Sequence, residues 1–163
     1  MNQVSLPGKP VSASRTALSV AMLPQDANPY GSIHGGVILK HMDAAAAMAA
    51  MRHCRGNAVT VAMDGVTFLA PSHVGELVSF KAQVNHVGRS SMEIGVRVES
   101  ENLFTGEVRH TASAYLTFVA LGHDGRATPA PPLILENEDD RRRNEAAAER
   151  LRLRRHGCRG QAQ

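Results

Sequence analysis

One alanine-rich helical stretch, about residues 34–52, is followed by four strand-length runs with no second helix between them. That order restricts the architecture, because the strands must pair with one another while a single helix is available to cover them. The runs are 58–69, 76–87, 92–100 and 107–121, separated by Pro71, Gly75, Gly88 and a turn over 102–106. In the third run Met92, Ile94, Val96 and Val98 alternate with Glu93, Arg97 and Glu99, the period of a half-buried antiparallel strand. A further strand over 16–23 precedes the helix, and Gly56 falls where the helix should end, among residues 53–57. The chain reads as α+β: a five-stranded antiparallel sheet that can wrap one long central helix. A sheet with one helix is short of cover at its edge, so edge-to-edge pairing with a second copy is expected.

The flanks differ in composition from this central part. Residues 1–14, with Pro7, Gly8 and Pro10, read as a flexible lead-in, and 15–132 as the folded domain. Residues 133–163 read as a charged C-terminal helix reaching about residue 155, with a disordered tail from 157. The formal charge is only +3, and much of the arginine sits in that helix, interleaved with Glu and Asp. Without stacking aromatics, this is a poor nucleic-acid surface. A solvated, subunit-packing helix is the simpler reading. No apolar run approaches a membrane span, and the first fifteen residues lack the apolar stretch of a signal peptide. Cys54 and Cys158 match no metal or redox spacing. A reducing cytoplasm is the expected compartment.

The chemistry concentrates in residues 26–43, where a polar loop punctuated by Pro29 and Gly31 runs into His34, Gly35 and Gly36 and then into the helix. Glycines at a helix start leave backbone N–H groups free at the positive end of the dipole and let a carbonyl approach closely. They can stabilise a developing oxyanion, or merely fit a tight loop. Asp43 is an acid inside a helix among Val37, Ile38, Leu39, Met42 and alanines. It supports two readings equally: a reactive carboxylate facing a cleft or partner, or a solvated residue paired with Lys40. Asn28 can donate to a carbonyl or water, although an Asx-type turn before Pro29 is the simpler account. His34 is better suited to capping or packing than to acting as a base. Eight residues of helix separate Gly35 from Asp43, roughly 12 Å at 1.5 Å per residue. A carbonyl held at the helix start is therefore not readily attacked through the same chain's Asp43: either the two groups do not cooperate, or a neighbouring subunit supplies that acid.

In combination, several stretches resemble the hotdog-fold acyl-CoA thioesterases of the cytosolic long-chain acyl-CoA hydrolase group. They are Asp26-Ala-Asn-Pro-Tyr-Gly with Ile33-His-Gly-Gly, Leu39-Lys-His-Met-Asp-Ala-Ala, and Val59-Thr-Val-Ala-Met-Asp. Val87-Gly-Arg-Ser-Ser-Met-Glu-Ile, Thr105-Gly-Glu and Ala114-Tyr-Leu-Thr-Phe-Val-Ala follow in order, so the likeness spans about residues 16–121. The resemblance implies a hotdog fold, dimers assembled as trimers of dimers, and hydrolysis of an acyl-CoA to a carboxylic acid and coenzyme A. It implies that Asp43 is the nucleophile or general base, that Asn28 positions water or carbonyl, and that the Gly35 and Gly36 backbone polarises the thioester. It further implies a coenzyme A contact at Arg89, Ser90 and Ser91, with pantetheine running along Val61, Ala62 and Met63.

No cofactor or metal is expected, since a thioester is already activated and the histidines form no ligand pattern. Two other functions remain on the same fold. One is a non-catalytic acyl-CoA sensor, which could dispense with Asp43. The other is an enoyl or 3-hydroxyacyl thioester hydratase-dehydratase, which would pair an acid with a histidine such as His34.

Overall fold

Helix α1, Gly35–Cys54, forms where alanines favour a helix and where His34 caps its start. It ends on Arg55, which takes the left-handed conformation (φ 52°), one residue before the glycine expected to do so. Ile38, Met42, Ala45, Ala46, Ala49, Ala50 and His53 recur at helical spacing and are buried. The computed structural model describes residues 6–159, and within them this stripe lies against a five-stranded sheet.

The sheet strands are β2 (Thr16–Ala21), β3 (Asn57–Phe68), β4 (Leu77–Val87), β5 (Ser91–Glu101) and β6 (Val108–Leu121). Their order is β2-β4-β5-β6-β3, every pair antiparallel, so β2 and β3 are the edges. Alternate residues point inward: Val78, Phe80, Ala82 and Val84 on β4, and Met92, Ile94, Val96 and Val98 on β5. On β6 the inward set, Ala112, Ala114, Leu116, Phe118 and Ala120, is richer in small residues. Alanines on both α1 and β6 let helix and sheet approach closely, while Phe80, Met92 and Phe118 fill the wider part. This is the hotdog architecture, and it agrees with the α+β expectation.

Two flanking expectations need correction. Residues 9–14 are packed rather than a loose lead-in: β1 (Lys9–Pro10) pairs in parallel with β7 (Leu133–Ile134), and Val11 and Ser14 are buried. Ser14 Oγ donates to the Val11 carbonyl and accepts from the Val84 N–H, so a short polar side chain replaces sheet pairing there. Pro7, Gly8 and Pro10 thus mark an extended, docked segment. The second correction concerns helix α2, Glu138–Arg159, whose helical backbone runs through the region expected to be disordered from 157; residues 160–163 lie outside the described ones. It is also not simply solvated. Arg150 pairs with Glu93 at 2.7 Å, and Arg154 reaches Asp64 and Thr117. Glu93 and Thr117 alternate with inward residues, so α2 covers the outer face of the sheet, opposite α1. Among the described residues no helix is long and apolar enough to cross a membrane.

Candidate active site

The loop before α1 is held by its own polar groups. Asn28 Oδ1 accepts from the N–H groups of Tyr30 (2.9 Å) and Ser32 (3.3 Å), and Asn28 Nδ2 donates to Ser32 Oγ (2.9 Å). This is the Asx-type turn anticipated from Asn28-Pro29. It commits both lone-pair directions of Oδ1 but leaves the second Nδ2 hydrogen available, so Asn28 can offer a donor and not a second acceptor.

The glycine pair divides in its roles. Gly36 N–H donates to His34 Nδ1 at 3.0 Å, so the imidazole acts as the helix cap and occupies one of the two donors expected to be free. A Cβ on Gly36 would lie 3.2 Å from that nitrogen, which explains the glycine sterically. Gly35 N–H has no hydrogen-bond partner among the described residues. The expected paired donor is therefore a single free N–H at the helix start, with Gly36 serving the cap.

Gly35 borders a cavity of about 400 Å³ walled by Ile33, Ile38, Phe68, Leu69 and Ala112, with Ser72 and Thr111 also on its lining. Its size and largely apolar walls suit a small organic group.

Asp43 lies on the flank of the buried stripe, half-buried, and faces edge strand β3. Thr60 Oγ1 donates to Asp43 Oδ1 at 2.7 Å, while Oδ2 has no partner among the described residues. No ion pair joins Asp43 to Lys40 among those residues; the carboxylate is oriented by a neutral hydroxyl. Thr60 was not singled out from the sequence, although it lies in the Val59-Thr-Val-Ala-Met-Asp stretch. Its only local signal is a β-branched hydroxyl residue on a strand.

Strand β3 ties these pieces together. Asp43 bonds to Thr60 near one end of the strand, and Gly35 lies beside Phe68 at the other, where an added Cβ would be 3.6 Å from the ring. Within one chain the carboxylate and the free N–H stand at opposite ends of the same edge. Val61 falls at a register shift between Thr60 and Ala62, and Gly65 (φ 57°) at another between Asp64 and Thr67. These bulges twist the edge and leave Val61 exposed, with Ala62 and Met63 half-buried.

Arg89, Ser90 and Ser91 occupy the β4–β5 hairpin. The Ser90 and Arg89 carbonyls accept from the N–H groups of Ala120 and Ala130, fixing the turn, while the Arg89 guanidinium is exposed and has no ion-pair partner among the described residues. The structure thus separates the predicted residues into three groups: Asn28, Gly35 and Gly36 at the helix start, Asp43 with Val61–Met63 along β3, and the hairpin. Among the described residues no three His, Cys, Asp or Glu side chains are placed to hold a metal.

Comparison with known proteins gives the family of the chain. The thioesterase superfamily profile matches residues 30–105, from the loop before α1 to the β5–β6 turn. The chain is 36% identical over 143 residues to the uncharacterized acyl-CoA thioester hydrolase YkhA of Bacillus subtilis, covering 88% of this chain and 83% of that one. It superposes on a hexameric acyl-CoA thioesterase, solved in its apo form, with TM-score 0.91 and 37% identity, over 97% of this chain and all of the other. The acyl-CoA hydrolase of Staphylococcus aureus, solved with butyryl coenzyme A and coenzyme A, gives TM-score 0.86 at 31% identity, covering 92% of each chain. That enzyme has also been solved with single Asn→Ala, Asp→Ala and Thr→Ala substitutions. In fold and over nearly its whole length, the chain belongs to the thioesterase superfamily, among its hotdog-fold acyl-CoA thioester hydrolases.

Proposed function

We propose that this protein hydrolyses acyl-CoA thioesters to a free carboxylic acid and coenzyme A at sites shared between two subunits. The observation that carries the reading is the placement of Asp43 and the free Gly35 N–H at opposite ends of edge strand β3. Two β3 edges paired antiparallel about a two-fold axis near Asp64 would exchange those ends. The N–H of Gly35 then faces the partner subunit's Asp43, and each dimer carries two complete sites. Relatives described as hexameric support a trimer of such dimers.

In this site the thioester carbonyl accepts from Gly35 N–H, at the positive end of the α1 dipole, with the remaining Nδ2 hydrogen of Asn28 as a second donor. Thr60 holds Oδ1 of Asp43 and leaves Oδ2 to remove a proton from water, or to attack the thioester carbon. In the first route water's oxygen bonds to the carbonyl carbon, the C–S bond breaks, and the thiolate of coenzyme A takes a proton. In the second, an acyl-aspartyl anhydride forms and water cleaves it. The solved Asp→Ala, Asn→Ala and Thr→Ala forms of the Staphylococcus aureus enzyme concern the same three residue types placed here at 43, 28 and 60. The exposed Arg89 fork, with Ser90 and Ser91, suits a phosphate of the nucleotide portion, and Val61–Met63 offers an unpaired edge for pantetheine. A cytoplasmic location remains in keeping with the sparse cysteines. His34 Nδ1 is taken up by the helix cap, which disfavours the histidine–acid pair that a hydratase would use.

Thiol release from acyl-CoAs of graded chain length tests the activity, and Asp43→Asn tests the mechanism. The expected outcome is turnover lowered by several orders of magnitude in an assembly of unchanged size. Full turnover in that variant would overturn the role of Asp43.

A further inference from the structure

The face of the sheet away from α1 carries a second cavity, about 630 Å³, roofed by α2 and unconnected with the residues assigned above. Its walls carry six cationic side chains: Arg15, Lys81, Arg97, Arg142, Arg143 and Arg150. Four carboxylates pair with them. Glu93 serves Arg150, Asp140 serves Arg15, Glu99 is shared by Lys81 and Arg97, and Asp139 is shared by Arg142 and Arg143. Sharing leaves two positive charges in excess, one on the sheet and one on the helix. The sharing shows at both ends: Lys81 first and then Arg97 stabilise the Glu99 carboxylate and hold its pKa below the usual range. The Arg143–Asp139 contact stretches to 3.9 Å.

The floor is also unusual. Gly95 stands in register between Gln83 and Tyr115 on the neighbouring strands, leaving a gap in the row of outer side chains. A Cβ there would lie 2.5 Å from Asn85 Nδ2, so the glycine makes space for that amide. Asn85 is 3% exposed, and its Oδ1 is buried with no hydrogen-bond partner among the described residues. That oxygen is closed off from solvent, so Nδ2, over Gly95, is the polar group the amide presents to the cavity.

We infer that this cavity binds a small phosphate ester bearing a hydroxyl group. A phosphate monoester carries close to two negative charges at neutral pH, matching the excess of two cations, and its oxygens suit the arginine forks. Lys81 and Arg97 contact it from the sheet, and Arg142 and Arg143 from α2, so the ligand bridges helix and sheet. Asn85 Nδ2, over Gly95, donates to the hydroxyl. The volume is that of about twenty waters at roughly 30 Å³ each, which leaves room for the organic remainder beside the phosphate.

Isothermal titration with glycerol 3-phosphate, inorganic phosphate and glycerol on the whole protein at low salt tests the inference. Glycerol 3-phosphate is expected to bind saturably and more tightly than inorganic phosphate, with glycerol silent, and to weaken as salt rises. The double variant Lys81→Gln/Arg143→Gln should weaken it by at least about tenfold, while Arg89→Gln, at the hairpin, should not. Should the double variant fail to fold, Arg97→Gln and Arg142→Gln separately give the same reading. Absence of saturable binding up to about 10 mM would overturn the inference, a range that covers even weak ligands. So would binding that Arg89→Gln abolishes and the cavity variants leave intact, or equal binding of glycerol.

Discussion

Gly35→Pro is a sharp test of the shared site, because it removes the N–H donor without breaking a hydrogen bond of the fold. The Gly35 N–H makes no intramolecular hydrogen bond among the described residues, so its loss costs none. Proline is well tolerated at the first helical position, and His34, at φ −59° and ψ 129°, already has the extended backbone that a residue before proline adopts. The fold and assembly should therefore survive. Deleting one oxyanion donor costs about 2.7–4 kcal/mol of transition-state stabilisation, or on the order of 10²–10³ in kcat. Separately, Asp43→Asn should be nearly inactive. Co-expression of the two variants in equal amounts then separates the possible geometries. Each mixed dimer would hold one site with both defects and one intact site. With random pairing about half the dimers are mixed, so about a quarter of wild-type turnover should return. Thiol release per active-site equivalent, measured beside mass spectrometry of the intact assembly, gives the number. No recovery despite proven mixing would place acid and donor in the same chain and refute the swap of β3 ends. Full activity of Gly35→Pro alone would remove the Gly35 N–H from the mechanism.

Thr60→Val keeps the strand shape but removes the hydroxyl from Asp43 Oδ1; kcat should fall on the order of tenfold or more, as for a bond to a charged group worth about 1.5–3 kcal/mol, with KM little changed. An unchanged kcat would show that Asp43 needs no orientation by Thr60. Arg150→Met leaves Glu93, whose side chain is only 4% exposed, without its bidentate partner, and should cost about 3 kcal/mol. Thermal unfolding should register this as a clear drop in Tm, partly restored by adding Glu93→Gln. His53 is buried, with Nε2 bonded to the Pro131 carbonyl and Nδ1 unpartnered. Burial, and secondarily the Lys9 charge, hold its pKa below the ordinary 6.5 despite the Pro131 bond. The unfolded chain therefore binds a proton near 6.5 that the folded one refuses. Stability from this group is complete above that pH and is lost as pH falls toward the folded pKa, by at most about 1.4 kcal/mol per unit. Urea unfolding between pH 7 and 5 should show this slope, and His53→Gln should flatten it.

The strands were legible because their signal is local. The alternation of Met92 to Val98 with charged residues survives as the inner and outer faces of β5, and the alanine stretch survives as α1. The helical acid and the turn-forming Asn28 could also be picked out, since each is a polar residue in a place where propensity alone would prefer another or explains it at once. Helix rise alone set Gly35 and Asp43 roughly 12 Å apart within one chain, which pointed to a site shared between subunits.

Other features depend on partners far away in the chain, which leave no local pattern. Thr60 gains meaning only when β3 pairs with β6 and brings its hydroxyl beside Asp43, seventeen residues earlier. Whether Gly36 is a free donor is decided by the rotamer of His34, whose ring turns back to cap the helix. The basic C-terminal helix looks like a solvated tail until Glu93, fifty-seven residues before Arg150, anchors it to the sheet. Sequence by itself determined the elements, the single covering helix and the presence of a carboxylate inside that helix, because periodicity and propensity act within a few residues. Only the tertiary structure decided which N–H is free, what orients the acid, and that the arginines of α2 face a cavity, because hydrogen bonds and ion pairs are settled by side chains that folding brings together.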